Sequence, residues 1–316
     1  MRPTTRLRAC ALSISLLIPS ALSHSLLVGV VISGKNYHGY DPRPGAVNFA
    51  DRVGWLTTAA DQGFVSPAGY DTPDIVCHRG GTPPPAHAPV RSGDRIKVQW
   101  NGWPEGHRGP VLSYLAPCDA ATTAAAGDGC ASVNKTRLAW TKIDEGAPGL
   151  FLPDTPPPGD WASNHLATNN NSWEVGLPLG LAPGPYVLRH EIIALHYAAQ
   201  PGGAQNYPLC VNLWVEGPAA LDNSKTTQPF DLAAGIPAMR MYKATDPGIL
   251  INISQPLTKS YVIPGPPVGA NANPVPVLSQ AAPGYTAQGA PVVVTQGSVT
   301  VPYSPAVQTE APVPAR

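Results

Sequence analysis

Glycine and proline are the residues that most restrict how this chain can fold. The sequence has 31 glycines and 39 prolines among 316 residues, and both residue types weaken or interrupt helices. Charged side chains make up only 13% of the chain. So many turn-forming residues with so few charges are typical of short strands joined by loops. We therefore expect an all-β domain with long loops.

Short segments with strand patterns lie between the turns. Ile96, Val98 and Trp100 alternate with polar residues, and this period of two is typical of a half-buried strand. Further strand candidates are residues 111–116, 172–178, 184–195 and 211–215. Helical periodicity is scarce. Many short strands separated by turn signals predict an antiparallel β-sandwich.

The N-terminus has the three parts of a secretory signal. Basic residues come first, an apolar segment covers residues 9–18, and Ala21-Leu22-Ser23 is a small-x-small cleavage site. We therefore expect residues 1–23 to be removed and the protein to be extracellular. Cleavage would make His24 the first residue, with a free α-amino group and an imidazole that can chelate one metal ion.

Charge and hydropathy predict neither a nucleic-acid partner nor a membrane span. The chain has 20 basic and 20 acidic side chains and no basic patch, so we expect no nucleic-acid partner. No later apolar segment is long enough to span a membrane.

Residues 24–268 have the composition of one globular domain. Residues 269–316 contain eight prolines and only two charged residues, which predicts a low-complexity, disordered tail without a binding module.

Four cysteines remain once Cys10 has left with the signal. An even number in a secreted chain indicates two disulfides, for which three pairings are possible. Cys118 and Cys130 flank a loop of small residues and make a plausible local bridge, which would leave Cys77 with Cys210. The alternative, a cysteine metal site, lacks the C-x-x-C spacing that such sites use. Three acceptor sequons for N-glycosylation, at Asn134, Asn170 and Asn252, also suit an extracellular protein.

Five local sequences occur in a characteristic order after the cleavage site. They are His24-Ser-Leu-Leu, Asp74-Ile-Val-Cys-His-Arg-Gly, Trp103-Pro-Glu-Gly-His-Arg-Gly-Pro-Val, the pair Leu188-Arg-His-Glu-Ile-Ile-Ala-Leu-His with Gly203-Ala-Gln-Asn-Tyr-Pro-Leu-Cys, and Thr245-Asp-Pro-Gly-Ile-Leu-Ile-Asn. Together they closely resemble the fungal lytic polysaccharide monooxygenases of auxiliary-activity family 9, formerly glycoside hydrolase family 61. The resemblance extends from His24 to about Pro267.

The resemblance implies a single copper ion held by a histidine brace. His24 would supply its α-amino nitrogen and one ring nitrogen, His107 a second imidazole, and Tyr207 an axial oxygen. Nitrogen donors in a roughly planar arrangement suit Cu(II). His196 and Gln205 match the family's outer pair, which would donate hydrogen bonds to the oxygen species and help to move protons.

The resemblance also implies the fold, the bridges and the reaction. It implies an immunoglobulin-like or fibronectin-like antiparallel sandwich with long loops forming one flat face, and the Cys77–Cys210 pair matches the family's long bridge. The reaction would be oxidative cleavage of β-1,4-glucan at C1, C4 or both, with an external electron donor and dioxygen or hydrogen peroxide. We expect a monomer.

The sequence departs from the family in three places. Gly106 stands before His107, where serine is common. Residues 41–47 and Ser254 stand where cellulose-binding members often place tyrosines. The first change should be tolerated, because the residue supplies no ligand. The other two predict weak binding to flat crystalline cellulose and better action on amorphous glucans.

Two other functions fit parts of the sequence. A non-catalytic secreted sandwich that binds glycans or copper would not need the outer pair. A zinc hydrolase could use two histidines and a third donor, but the sequence has no evident general base near the histidines. Arg189 and Glu191 could be interpreted as a catalytic pair, although a structural ion pair is the simpler interpretation.

Overall fold

The structure, a computed structural model, describes residues 25–119, 127–146, 157–217, 229–257, 259–280 and 287–293, together with the backbone of 301–302. The predicted signal segment, His24 and the end of the tail therefore lie outside the described residues. Within the described part of the chain, no helix is long and apolar enough to cross a membrane.

Strands dominate the described residues, as the sequence predicts. They are β1 (Leu27–Ile32), β2 (Lys35–His38), β3 (Ala86–Val90), β4 (Arg95–Trp100), β5 (Val111–Pro117), β6 (Ala139–Asp144), β7 (Ser172–Gly176), β8 (Gly184–Ala194), β9 (Gln205–Val215), β10 (Ile236–Pro237), β11 (Ala287–Gln288), β12 (Val292–Val293) and β13 (Val301–Pro302). The helices are short: α1 (Asp74–Cys77), α2 (Ala162–Thr168) and the 3-10 turns Pro67–Gly69, Lys135–Arg137, Ala238–Arg240 and Val277–Ser279.

Two sheets form the sandwich. The five-stranded sheet has the order β11-β2-β1-β4-β7, and the eight-stranded sheet has the order β10-β6-β5-β8-β9-β3-β12-β13. Most neighbours are antiparallel, as predicted, but β3 pairs with β9 and β11 pairs with β2 in parallel. The sheets are therefore mixed, which alternation of apolar and polar residues could not predict, because it does not depend on strand direction.

The central strands of the larger sheet are buried on both faces. One face packs against the smaller sheet in a core that contains Trp100 and Trp173. The other face is covered by α1 and by loops, and the core on that side contains Trp55 and Trp140. Every residue of β8 from Tyr186 to Ala194 is buried. This explains why the 184–195 segment does not alternate between apolar and polar residues, as is usual for strands covered on both sides.

Both predicted disulfides are present. Cys118 pairs with Cys130 across a short loop, and Cys77 pairs with Cys210 across 133 residues of sequence. The longer bridge joins the last residue of α1 to the middle of β9. It therefore fixes the helix on the outer face of the larger sheet, against β9, the strand that begins with Gln205. Loss of a bridge that closes so long a loop typically costs about 2–5 kcal/mol.

The described parts of residues 269–316 lie against the sandwich. The Gln280 side chain accepts a hydrogen bond from the backbone N–H of Glu174 in β7 at 2.5 Å. Val277 and Val292 are buried, and Gly289 lies over the ring of Tyr37. The boundary at residue 268 and the disorder of the remaining tail stay predictions.

Candidate metal centre

The hairpin of β8 and β9 places three predicted site residues at one end of the sandwich. Ala194, the last residue of β8, pairs with Gln205, the first residue of β9. His196 lies in the turn just beyond this pair, and Tyr207 follows Gln205 on the same face of β9, since side chains alternate along a strand. These three residues therefore lie at one edge of the larger sheet, namely the edge where β8 ends and β9 begins.

The loop before β5 brings His107 to the same end. Val111, the first residue of β5, pairs with Ile192 of β8, so the residues just before β5 lie beside the turn after β8. Gly109 allows the two backbones to approach closely. A Cβ atom there would lie 1.8 Å from the carbonyl oxygen of Ile193, and any side chain would therefore push the His107 loop away from the hairpin.

Two imidazoles meet at this edge. The ring centroids of His107 and His196 are 3.9 Å apart, with an angle of 47° between the planes. His107 is buried and His196 is partly exposed. Burial lowers the pKa of His196 below its usual value of 6.5, which favours the neutral ring. Its Nδ1 atom is buried without a hydrogen-bond partner among the described residues.

Tyr207, two residues after Gln205 on β9, is completely buried. Its hydroxyl donates a hydrogen bond to the Gln205 side-chain oxygen at 3.1 Å. Trp103 packs edge-to-face against the Tyr207 ring with a centroid distance of 5.1 Å, and the Phe64 ring lies 6.1 Å away. The phenol is therefore held by aromatic contacts on the core side, and its oxygen lies next to the Gln205 amide.

Trp103 also fixes the His107 loop. Its indole N–H donates to the carbonyl oxygen of His107 at 2.8 Å, and its ring lies 6.1 Å from the His107 ring. Its own backbone N–H donates to the Asn171 side-chain oxygen at 2.7 Å. One buried tryptophan thus links His107 to Tyr207.

Asn101 holds the first described residues at the same edge. Its side-chain oxygen accepts hydrogen bonds from the backbone N–H of Leu26 at 2.9 Å and from the hydroxyl of Ser25 at 3.1 Å. Its amide nitrogen donates to Gln62 at 2.9 Å. Ser25 and Leu26 are both buried. Ser25 and Leu26 are therefore held by Asn101, a residue that lies only two positions before Trp103 in the chain.

Donor chemistry restricts which metal this edge could bind. In the described segments, no three His, Cys, Asp or Glu side chains lie close enough to hold a metal ion. Two imidazoles, those of His107 and His196, contact each other, and Trp103 links His107 to the Tyr207 phenol. Imidazole nitrogen suits copper and zinc, whereas calcium and magnesium prefer carboxylate and carbonyl oxygen. The residues at this edge therefore fit a transition metal.

A second polar cluster lies on the outer face of the same hairpin. Arg189 and Glu191 form a completely buried ion pair, with N–O distances of 2.8 and 3.0 Å. Arg189 also donates to the carbonyl oxygens of residues 75–76 in α1 at 2.9 and 2.8 Å. Glu191 accepts hydrogen bonds from Asn206 at 2.8 Å and from the hydroxyl of Tyr242. The pair is structural, as the sequence interpretation favours.

Known proteins resemble this chain over most of its length. Residues 24–261 match the family model for AA9, Auxiliary Activity family 9 (formerly GH61). AA9 family lytic polysaccharide monooxygenase A of Thermoascus aurantiacus is 49% identical over 78% of this chain and 99% of its own length. The chain belongs to Auxiliary Activity family 9.

Two solved structures support this assignment. One is described as the extended catalytic domain of H. jecorina LPMO9A, and it is 41% identical with a TM-score of 0.69 over 88% of this chain and all of that chain. The other is described as a cellulose-active polysaccharide monooxygenase from M. thermophila, and it is 32% identical with a TM-score of 0.61 over 78% and 98% of the two chains.

Family membership makes the protein an oxidoreductase, a lytic polysaccharide monooxygenase that carries a metal and cleaves polysaccharide oxidatively. The immunoglobulin-like fold expected from the sequence is confirmed. The non-catalytic alternative is not favoured.

The places where this AA9 chain departs from its family have simple structural descriptions. A Cβ atom on Gly106 would meet nothing within 4 Å, so glycine and serine fit equally well. In the 41–47 loop, Asp41 pairs with Arg43, and Asn48 caps the loop by donating to the Asp41 carbonyl at 2.7 Å. Ser254 is exposed.

Sequence reasoning assigned no role to three residues of this AA9 site. Trp103 and Asn101 position the loop and the chain start, and Tyr197 lies directly after His196 with its ring exposed. Trp103 was detectable as the first residue of the His107 motif. Asn101 and Tyr197 carry no signal in the sequence, because their roles depend on neighbours that are distant in the chain.

Proposed function

We propose that this chain is a secreted copper enzyme that cleaves β-1,4-glucan by oxidation at C1, C4 or both. The observation that carries the proposal is the contact between His107 and His196, with Tyr207 and Gln205 on the adjoining strand. The family supports the reaction class. The description of the M. thermophila structure as cellulose-active supports a glucan substrate.

The proposed ligands are the α-amino and ring nitrogens of His24, a ring nitrogen of His107 and the oxygen of Tyr207. The buried position of Ser25 supports the first of these, since consecutive Cα atoms are about 3.8 Å apart. The hydrogen bonds from Ser25 and Leu26 to Asn101 restrict where the preceding residue can reach. A processed terminus is required, because an amide nitrogen is a poor ligand compared with an amine.

Copper, when bound, would supply one-electron redox chemistry that activates dioxygen or hydrogen peroxide after reduction by an external donor. The residues around it would control protons and access. His196 lies against His107, its ring is partly exposed, and burial lowers its pKa, so the neutral ring would be able to accept or donate a proton beside the metal. Gln205 would donate from its amide nitrogen while its oxygen accepts from Tyr207.

The proposed substrate is cellulose in an amorphous form or a related glucan. Flat crystalline faces are held best by coplanar aromatics, and the charged 41–47 loop and exposed Ser254 supply none. A glycan on exposed Asn252 would add bulk beside Ser254. Retention on microcrystalline cellulose should therefore be weak.

The remaining parts of the proposal concern processing and assembly. Residues 1–23 act as a secretion signal, residues 24–268 form the copper monooxygenase domain, and residues 269–316 act as a spacer. The enzyme works as a monomer outside the cell, with the polysaccharide, the oxygen co-substrate and an electron donor as its partners, and without nucleic acid or membrane.

The direct test uses the processed protein loaded with one equivalent of copper. With ascorbate and amorphous cellulose, it should release oxidised oligosaccharides that mass spectrometry identifies, and a chelator should abolish their release. Electron paramagnetic resonance should show Cu(II) with nitrogen ligands. Unoxidised products that form equally well with zinc would contradict the proposal and indicate a hydrolase.

A further inference from the structure

We propose that Tyr197 is a substrate-binding residue that stacks against a sugar ring of the glucan beside the metal centre. This inference rests on the proposed function and names a contact for its substrate. The described chain has exposed apolar side chains elsewhere, but Tyr197 alone combines an exposed aromatic ring with direct contact to a proposed site residue.

Exposure and position single out Tyr197. Its relative exposure is 63%, and no other tyrosine of the described residues is exposed. Its ring centroid lies 4.4 Å from that of His196, which in turn contacts His107. The site residues themselves are buried or partly buried. Tyr197 is therefore the aromatic group that a polymer would meet when it reaches this edge of the sandwich.

The backbone that carries Tyr197 is well fixed. Its carbonyl oxygen accepts a hydrogen bond from Gln200 at 3.1 Å, and Ala198 donates to Leu195 at 2.9 Å. Gly203 lies so close that a Cβ atom there would be 1.9 Å from the Tyr197 carbonyl oxygen. The backbone of this turn therefore loses little freedom on binding, which favours a contact at a fixed position on the surface.

The Tyr197 turn adjoins the segment where the expected tyrosine is missing. The backbone N–H of Ile251 donates to the carbonyl oxygen of Ala198 at 2.9 Å. Exposed Ser254 lies three residues after Ile251. An aromatic ring therefore exists next to this segment, but the turn after β8 contributes it, and it contacts His196.

The chemistry of a pyranose fits this ring. The axial C–H groups of a β-1,4-linked glucose make a flat apolar face, and tyrosine offers a rigid apolar face of similar size with a polar hydroxyl at its edge. Phe49, the other exposed aromatic ring of the described residues, is already stacked on His38 at a centroid distance of 3.8 Å. Tyr197 is tilted by 52° relative to His196 rather than stacked face to face on it, which leaves a ring face available.

The test measures binding separately from turnover. The processed, copper-loaded full chain and its Tyr197→Ala, Tyr197→Phe and Tyr197→Trp variants are titrated onto amorphous cellulose. Leu278→Ala serves as the matched control, because Leu278 is 93% exposed on a 3-10 turn of the tail segment. Cu(II) affinity by calorimetry and the thermal unfolding midpoint are measured for each variant.

Tyr197→Ala should weaken retention about tenfold, which corresponds to about 1.4 kcal/mol, while Phe, Trp and the Leu278→Ala control bind like the wild type. Cu(II) affinity and the unfolding midpoint should not change. Wild-type retention by Tyr197→Ala would overturn the inference, as would a parallel loss of Cu(II) affinity, which would mean that Tyr197 acts through His196. Wild-type protein that releases no oxidised products would instead overturn the proposed function itself, together with this inference.

Discussion

Two polar clusters use the same β-hairpin but satisfy their hydrogen bonds in opposite ways. Asn206 points to the outer face of β9 and joins the Arg189–Glu191 network, whereas its neighbours Gln205 and Tyr207 point to the face that meets the imidazoles. Adjacent residues on one strand therefore serve stability on one side and the proposed chemistry on the other.

The outer network is closed within the protein. Both carboxylate oxygens of Glu191 and three nitrogens of Arg189 have protein partners. Burial raises the pKa of Tyr242 well above its usual value of 10, so its hydroxyl remains a donor. By contrast, the His196 ring is partly exposed and has a buried nitrogen without a partner in the described chain. The outer network is therefore satisfied within the protein, whereas the His196 ring is not satisfied by the described residues.

Glu191→Ala should give the largest effect and should fall on stability. It leaves Arg189 as an uncompensated buried charge, and breaking such a pair typically costs about 3–5 kcal/mol. Denaturant unfolding of the metal-free protein measures the loss. The control is Asp160→Ala, which breaks a partly exposed pair with His165 and should cost at most about 1 kcal/mol. Equal losses in the two variants would mean that burial does not distinguish these pairs.

An N-terminal extension should affect the opposite cluster. A form that keeps one residue before His24 replaces the proposed amine ligand with an amide. Cu(II) affinity should fall by more than the ~10–100-fold that changes to outer-sphere residues cause. Calorimetry with the processed form as reference measures it. His107→Ala should give the same loss, and neither change should lower the unfolding free energy as Glu191→Ala does. Comparable affinity of extended and processed forms would contradict the brace.

Gln205→Leu should give the smallest effect and sharpens the comparison within one strand. The amide contacts Tyr207 and is proposed to act beyond the ligands, so turnover should slow by about tenfold or more while Cu(II) affinity changes little. Initial rates of oxidised product release measure it. Gln200→Leu, at an exposed position of the same connection, is the control. Turnover at the wild-type rate in Gln205→Leu would remove its proposed role.

The sequence predicted the strands and bridges better than their arrangement. Alternating residues located β4, and the even number of cysteines predicted two disulfides. Strand direction was not predictable, because the parallel pairing of β3 with β9 depends on which strands meet rather than on their side-chain period. The contacts of Gln280 and Val292 with the sandwich were not predictable for a similar reason, because composition does not show which distant residues a segment meets.

The candidate site came from the family resemblance and not from spacing. His107 and His196 are far apart in sequence, and nothing in either motif requires them to meet. The hydrogen-bond register of β5 with β8 brings them together. The same limit applies to Asn101, whose contacts to Leu26 and Gln62 join three separate segments.

The pairing of β11 and β12 has a consequence for how copies of this protein behave together. β11 adds to β2 at one edge of the smaller sheet, and β12 adds to β3 beyond β9 in the larger sheet. Unpaired edge strands are templates for pairing with other chains, and covering them is a common protection against aggregation. A protease that cut the chain after residue 268 would leave β2 and β3 as open edges. Residues 287–293 therefore cover strand edges that would otherwise be open to pairing with another chain.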